Sequence, residues 1–139
     1  MSYAAKKSAE MPASSAITPY AMVGGEARLR RIVTRFYEIM DRDPEAAGIR
    51  AMHAADLAPV REKLFEFLSG WLGGPPLYQQ RKDHKCVVTA HSAFAIGPAE
   101  RDQWLYCMRH ALEDEGLPKE VRDYLDRPFY RIADFMRNR

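Results

Sequence analysis

The chain has 139 residues, 47% apolar and 29% charged, the balance of one folded globular domain rather than of a disordered chain. Its net charge of +2, from 21 basic and 19 acidic residues, is too small for counterion release to bind nucleic acid. No apolar run approaches the roughly 20 residues of a membrane span, so no membrane association is expected. Lys6-Lys7 is followed by Ser, Glu and Pro without an apolar core, so no secretory signal is expected either. Cys86 and Cys107 lack metal-type spacing and read as reduced thiols in a cytoplasmic protein.

Residues 1–17, rich in Ala, Ser and Lys, show no lasting periodicity and are expected to form a disordered leader to a single domain over 18–139. Thr18-Pro19 supplies a cap and a first-turn proline for a one-turn helix that Gly24-Gly25 ends. Leu29, Ile32, Val33, Phe36, Tyr37 and Met40 then form the stripe of a long amphipathic helix starting at Glu26. Its Arg28, Arg31 and Arg35 form a basic row that reads as a solvated face. Asp43-Pro44-Glu45 opens a short helix ending near Met52. Asp56 caps the next helix, whose stripe is Leu57, Val60, Leu64, Phe67, Leu68 and Trp71 and whose stop is Gly73-Gly74-Pro75-Pro76.

The stretch Leu77–Ile96 is the least regular and reads as loop with one helical turn. Gly97-Pro98 opens a helix with Trp104, Leu105, Met108, Ala111 and Leu112 on one face. Gly116-Leu117-Pro118 turns the chain into a last helix carrying Val121, Tyr124, Leu125, Phe129, Ile132 and Met136, with a kink expected at Pro128. The fold class is all-α.

Long helices can pack on one another as a cofactor-free bundle, but two features argue for more. A long irregular segment inside a small domain is usually functional. Tyr37 and Trp104 lie on or beside apolar stripes and carry polar atoms that need partners when buried.

Four runs lie in a specific order and spacing: Phe36-Tyr37; Phe67-Leu68 through Trp71-Leu72-Gly73-Gly74-Pro75-Pro76-Leu77-Tyr78; His91-Ser92-Ala93-Phe94-Ala95-Ile96; and Glu100-Arg101-Asp102-Gln103-Trp104-Leu105 through Cys107-Met108. Together they resemble the group II truncated haemoglobins of bacteria. The resemblance implies a truncated globin, a two-over-two helical sandwich around haem b whose iron is held by one histidine. His91 stands where that family has its proximal ligand, and a neutral imidazole is a usual axial ligand. Without the resemblance it reads as a loop histidine. His84 reads as a loop residue and His110 as solvent-facing.

The same match places Tyr37, Trp104 and His53 on the distal side, with Val60 and Leu64 as apolar walls. His53 can face a bound ligand, approach the iron, or close its helix by bonding a backbone carbonyl; the sequence leaves these open. Phe67, Leu68, Phe94, Ile96 and Met108 are candidates to pack against the haem, and each serves equally as ordinary core. The family's basic residues before the proximal histidine are replaced here by Thr89-Ala90, and its proline after it by Ala93. A propionate partner must therefore come from elsewhere, with Arg81, Lys82, Lys85 and Tyr78 as candidates that the sequence leaves open.

These residues imply reversible binding of oxygen and other diatomic ligands (NO, CO) at a five-coordinate iron, with tight binding and slow release. Such a protein is a poor carrier. The alternatives are redox chemistry with bound oxygen or peroxide (nitric oxide dioxygenation or a peroxidase-like reaction), which needs an unidentified reductase, and a haem-free helical interaction module.

Overall fold

A computed structural model describes residues 17–139. The expected leader, apart from Ile17, lies outside the described residues. The Thr18 hydroxyl accepts the Ala21 N–H at 3.1 Å and Pro19 takes the first position of α1 (Pro19–Met22). Gly24 and Gly25 sit at φ 106° and 77°, in the left-handed region where a side chain is strained, and redirect the chain into α2 (Gly25–Arg42). All six stripe residues of α2 are buried. Asp43 accepts the Glu45 N–H at 3.0 Å and starts a 3-10 turn over Pro44–Ala46 that runs into α3 (Ala47–Ala51), so the expected short helix has two parts.

Helix α4 (Ala58–Trp71) begins where Asp56 Oδ1 accepts the Ala58 N–H at 3.0 Å. It stops at Gly73, again left-handed, and its last carbonyls are used at once: Tyr20 N–H donates to Leu72 O at 2.8 Å. The irregular stretch holds one short helix, α5 (Val87–His91), as the sequence indicates. Glu100 accepts the Gly97 N–H at 2.8 Å and opens α6 (Pro98–Asp114); Gly116, left-handed, turns the chain into α7 (Lys119–Phe135).

Helix α2 packs on both α4 and α6, and α6 carries α7, so the pair α2–α4 lies over the pair α6–α7 in a two-over-two sandwich. Phe36, Phe65, Leu68, Met108 and Leu125 form the closed centre between the layers. Helix α5 packs extensively on no other helix.

Two local expectations change. Tyr124, assigned to the buried stripe of α7, is 57% exposed, because the core-facing side of that helix centres on Leu125, Phe129 and Ala133. Pro128 lies inside α7, which runs on through it. The carbonyl that proline leaves unbonded is that of Tyr124, on the exposed side where water can satisfy it. The arginine row of α2 is not merely solvated: Arg31 pairs with Glu115 at 3.0 Å and Arg35 with Asp114 at 2.8 Å, and Arg28 donates to the Glu115 carbonyl at 3.1 Å. The row ties α2 to the C-terminal end of α6, where the helix dipole adds to the attraction for cations.

Candidate functional site

Tyr37 is on the core side of α2 and is only 5% exposed. Its hydroxyl has no hydrogen-bond partner among the described residues, and burial pushes the phenol well above its usual range. The Phe36 ring stands edge-on to it at 4.9 Å between centroids. Phe36 in turn touches Trp104 of α6, at 5.3 Å, and Trp104 lies 5.9 Å from Phe129, which packs on Trp71 at 5.3 Å. The half-buried Trp104 likewise finds no acceptor for its indole N–H among the described residues. On the other side of Tyr37 lies His53, 6.0 Å between rings. Helices α2, α3 and α6 thus bring Tyr37, His53 and Trp104 into one cluster through Phe36, a hub the sequence reading left as core.

His53 closes α3 as the backbone-bonding alternative expects: its Nδ1 lies 2.7 Å from the Ile49 carbonyl. A ring nitrogen that close to a carbonyl oxygen carries the proton, so neutral His53 presents a bare Nε2, an acceptor and ligand rather than a donor. His91 has the same arrangement, Nδ1 to the Val87 carbonyl at 2.7 Å. That bond fixes the imidazole's tautomer and leaves Nε2 free to bind a metal.

Of the apolar candidates, Val60, Leu64 and Phe67 on α4 are half-buried, Ile96 is half-buried, and Phe94 is 43% exposed. Leu68 and Met108 are each 1% exposed and belong to the closed core. Phe67 meets Tyr78 edge-on at 6.0 Å.

The propionate candidates are partly spoken for. Arg81 makes a two-pronged pair with Glu66, at 2.6 and 3.4 Å, and the Tyr78 hydroxyl donates to the Lys85 carbonyl at 2.8 Å. Both therefore tie the irregular segment down, and Lys82 and Lys85 remain exposed cations. His84 bonds the Arg81 carbonyl through Nδ1 at 2.9 Å, a loop role, and His110 is exposed.

Cys86 caps α5; the N–H groups of Thr89 and Val88 hold its thiol below the usual range, while burial pushes that of Cys107 up to about 12. A groove of about 260 Å³ between α6 and α7 is lined by Phe129 but by none of Tyr37, His53 and Trp104. Its charged walls pair with each other, Arg109 with Asp126 at 2.9 Å and Arg122 with Glu113 at 3.6 Å.

The model of the bacterial-like globin family matches residues 18–138. A group 2 truncated haemoglobin of Bacillus subtilis is 35% identical over 107 residues, which span 77% of this chain and 78% of that protein. Among solved structures, a group II two-on-two haemoglobin of Agrobacterium tumefaciens superposes with a TM-score of 0.82 at 42% identity, over 90% of this chain and 97% of that one. A truncated oxygen-avid haemoglobin of B. subtilis gives 0.77 at 33% identity, over 88% and 100%. The chain belongs to the group II truncated haemoglobins.

As a globin it binds haem and, through haem, diatomic ligands such as oxygen. Among the described residues no helix is long and apolar enough to cross a membrane. The side chains of this globin fit the prosthetic group. An iron carried by a haem needs one axial imidazole from the protein. His91 offers that imidazole with Nε2 bare, and Tyr37 offers a buried hydroxyl without a partner among the described residues.

Proposed function

We propose that this globin binds oxygen reversibly and releases it slowly, with His91 holding the iron of a haem b and Tyr37 and Trp104 holding the ligand. The buried, unpartnered hydroxyl of Tyr37 carries this reading: a polar atom left without a protein partner inside a packed core costs stability, and a ligand with acceptor character offsets that cost. When bound, haem supplies the iron to which a diatomic molecule attaches. The protein does the rest. His91 Nδ1 donates to Val87, which orients the ring and raises the basicity of Nε2. Tyr37 O–H and Trp104 N–H are the donors that would hold a ligand with acceptor character. Val60, Leu64 and Phe67 line the pocket as apolar walls.

The sequence has no Cys-x-x-Cys-His attachment motif, which favours the non-covalently held haem b. The oxygen-avid relative supports tight binding. Recycling oxidised iron calls for a reductase as partner.

The absorption spectrum of the purified protein tests the reading, as isolated and after dithionite under CO, beside His91→Ala. A Soret band that shifts with CO in the wild type and is lost or altered in His91→Ala is expected. A colourless protein that refuses added hemin ends the proposal.

With Nε2 bare, His53 is no donor to the ligand. The Nδ1 bond to Ile49 holds it at the end of α3, so the ferric spectra of wild type and His53→Ala are expected to coincide. A six-coordinate signature present in the wild type and absent in His53→Ala would show that the ring reaches the iron instead.

A further inference from the structure

Helix α5 stands apart from the packed layers, so whatever fixes His91 must act at the ends of that helix. Before it, Tyr78 donates to the Lys85 carbonyl. After it, Asn138 holds the 92–97 connection with backbone and side chain together. Asn138 N–H donates to Ile96 O at 2.9 Å, Ile96 N–H donates to Asn138 Oδ1 at 2.9 Å, and Asn138 Nδ2 donates to Phe94 O at 2.7 Å. The Arg139 N–H adds a bond to Ile96 O at 3.1 Å. Phe94 N–H itself donates to the carbonyl of His91 at 3.1 Å, so a continuous line of hydrogen bonds runs from Asn138 through Phe94 to His91.

Asn138 has a firm base. It follows α7, and Asp134 in the last turn of that helix accepts from Arg101 of α6 at 2.9 Å and from Arg137 at 3.1 Å. These two guanidinium groups hold the Asp134 carboxyl below the usual carboxylate range.

We infer that Asn138 is a positioning residue for His91: it clamps the connection behind the proximal helix to the α6–α7 frame and so steadies the imidazole that would hold the iron. The physical basis is what an amide side chain supplies, a donor and an acceptor on one rigid plane, which together satisfy two backbone groups of an exposed segment that no helix or sheet would otherwise hold. Freed from the clamp, the connection would hold the His91 ring less firmly, and with it the nitrogen that would bind the iron. The inference rests on His91 being the iron ligand.

The test compares wild type, Asn138→Ala, Asn138→Asp and His91→Ala by two measurements. Hydrogen exchange of the Ile96 amide in the haem-free chain reads the clamp itself, and about tenfold faster exchange is expected in Asn138→Ala. In Asn138→Asp, which keeps the acceptor and loses the donor to Phe94, the change is smaller. The iron–histidine stretching band of the ferrous holoprotein, read by resonance Raman, reports the consequence. It is expected to broaden and move to lower frequency in Asn138→Ala, with Asn138→Asp between it and the wild type. Faster Ile96 exchange with an unmoved band makes the clamp merely structural and overturns the inference, as does no change in either. A band that persists unaltered in His91→Ala would instead remove His91 as ligand, a separate failure that the Asn138 variants cannot mimic.

Discussion

Replacing Tyr37 by Phe is expected to speed oxygen dissociation about tenfold or more, because a hydrogen bond to a group that carries charge contributes roughly 1.5–3 kcal/mol and about 1.4 kcal/mol is tenfold. Trp104→Phe is expected to speed it at least several-fold. The double variant should fall short of the product of the two, since both rings lean on Phe36, at 4.9 and 5.3 Å, and neighbours that share a packing partner seldom act additively. Stopped-flow displacement of oxygen by CO measures all three, and an unchanged rate in either single variant removes that residue from the pocket chemistry.

The same substitution at Tyr37 has an opposite effect on folding. It deletes a buried hydroxyl that no other described group satisfies, so the haem-free Tyr37→Phe chain should be no less stable than wild type in urea. Loss of ligand affinity without loss of stability separates a functional hydroxyl from a structural one. The pH dependence follows with a definite sign. Burial raises the phenol above its unfolded value, so the stability linked to it is fully present below the unfolded pKa of about 10 and declines only above it, while the folded protein keeps the neutral donor beyond that point. Oxygen dissociation should therefore be flat through the alkaline range up to about pH 10, as far as Tyr37 is concerned.

Much of the molecule could be read from local pattern. The stripe Leu29 to Met40 is buried as its helical period requires, and Thr18, Asp43 and Asp56 accept helix-start N–H groups on their side-chain oxygens as such residues do. His91 was reached through the family match and the irregularity around it, not through any period. What stayed hidden depends on contacts distant in sequence. The arginine row on α2 gave no sign of Asp114 and Glu115, which lie across the layer at the end of α6. Asn138, in a charged C-terminal segment without periodicity, gave no sign of the Phe94–Ile96 backbone it clasps. Tyr124 fits the α7 stripe by spacing, yet the stripe is wider than the surface α6 can cover, and which edge remains outside is decided by packing alone. Nor does sequence give a tautomer: that His53 and His91 both spend Nδ1 on a carbonyl four residues back follows from each closing a short helix.

Phe36→Ala is the core substitution expected to cost most. The ring is fully buried and touches Tyr37 and Trp104 from two helices, so its removal loses the transfer free energy and leaves a cavity that three packed elements cannot close. About 3–5 kcal/mol is the usual range for such a truncation, which in a chain of this size lowers the melting temperature by roughly 6–20 °C. Urea denaturation of the haem-free chain with an unchanged m-value measures it, and a loss under about 1 kcal/mol would mean that the layers close over the gap. Oxygen dissociation should quicken as well, because the donors on either side lose the surface that aims them. Leu64→Ala is the contrast. Its side chain is half-buried on α4, outside the closed centre, so the haem-free chain should lose much less stability while hemin escapes faster from the holoprotein. If Phe36→Ala and Leu64→Ala instead changed stability and hemin retention in the same proportion, the separation drawn here between a closed aromatic hub and an apolar pocket wall would be wrong.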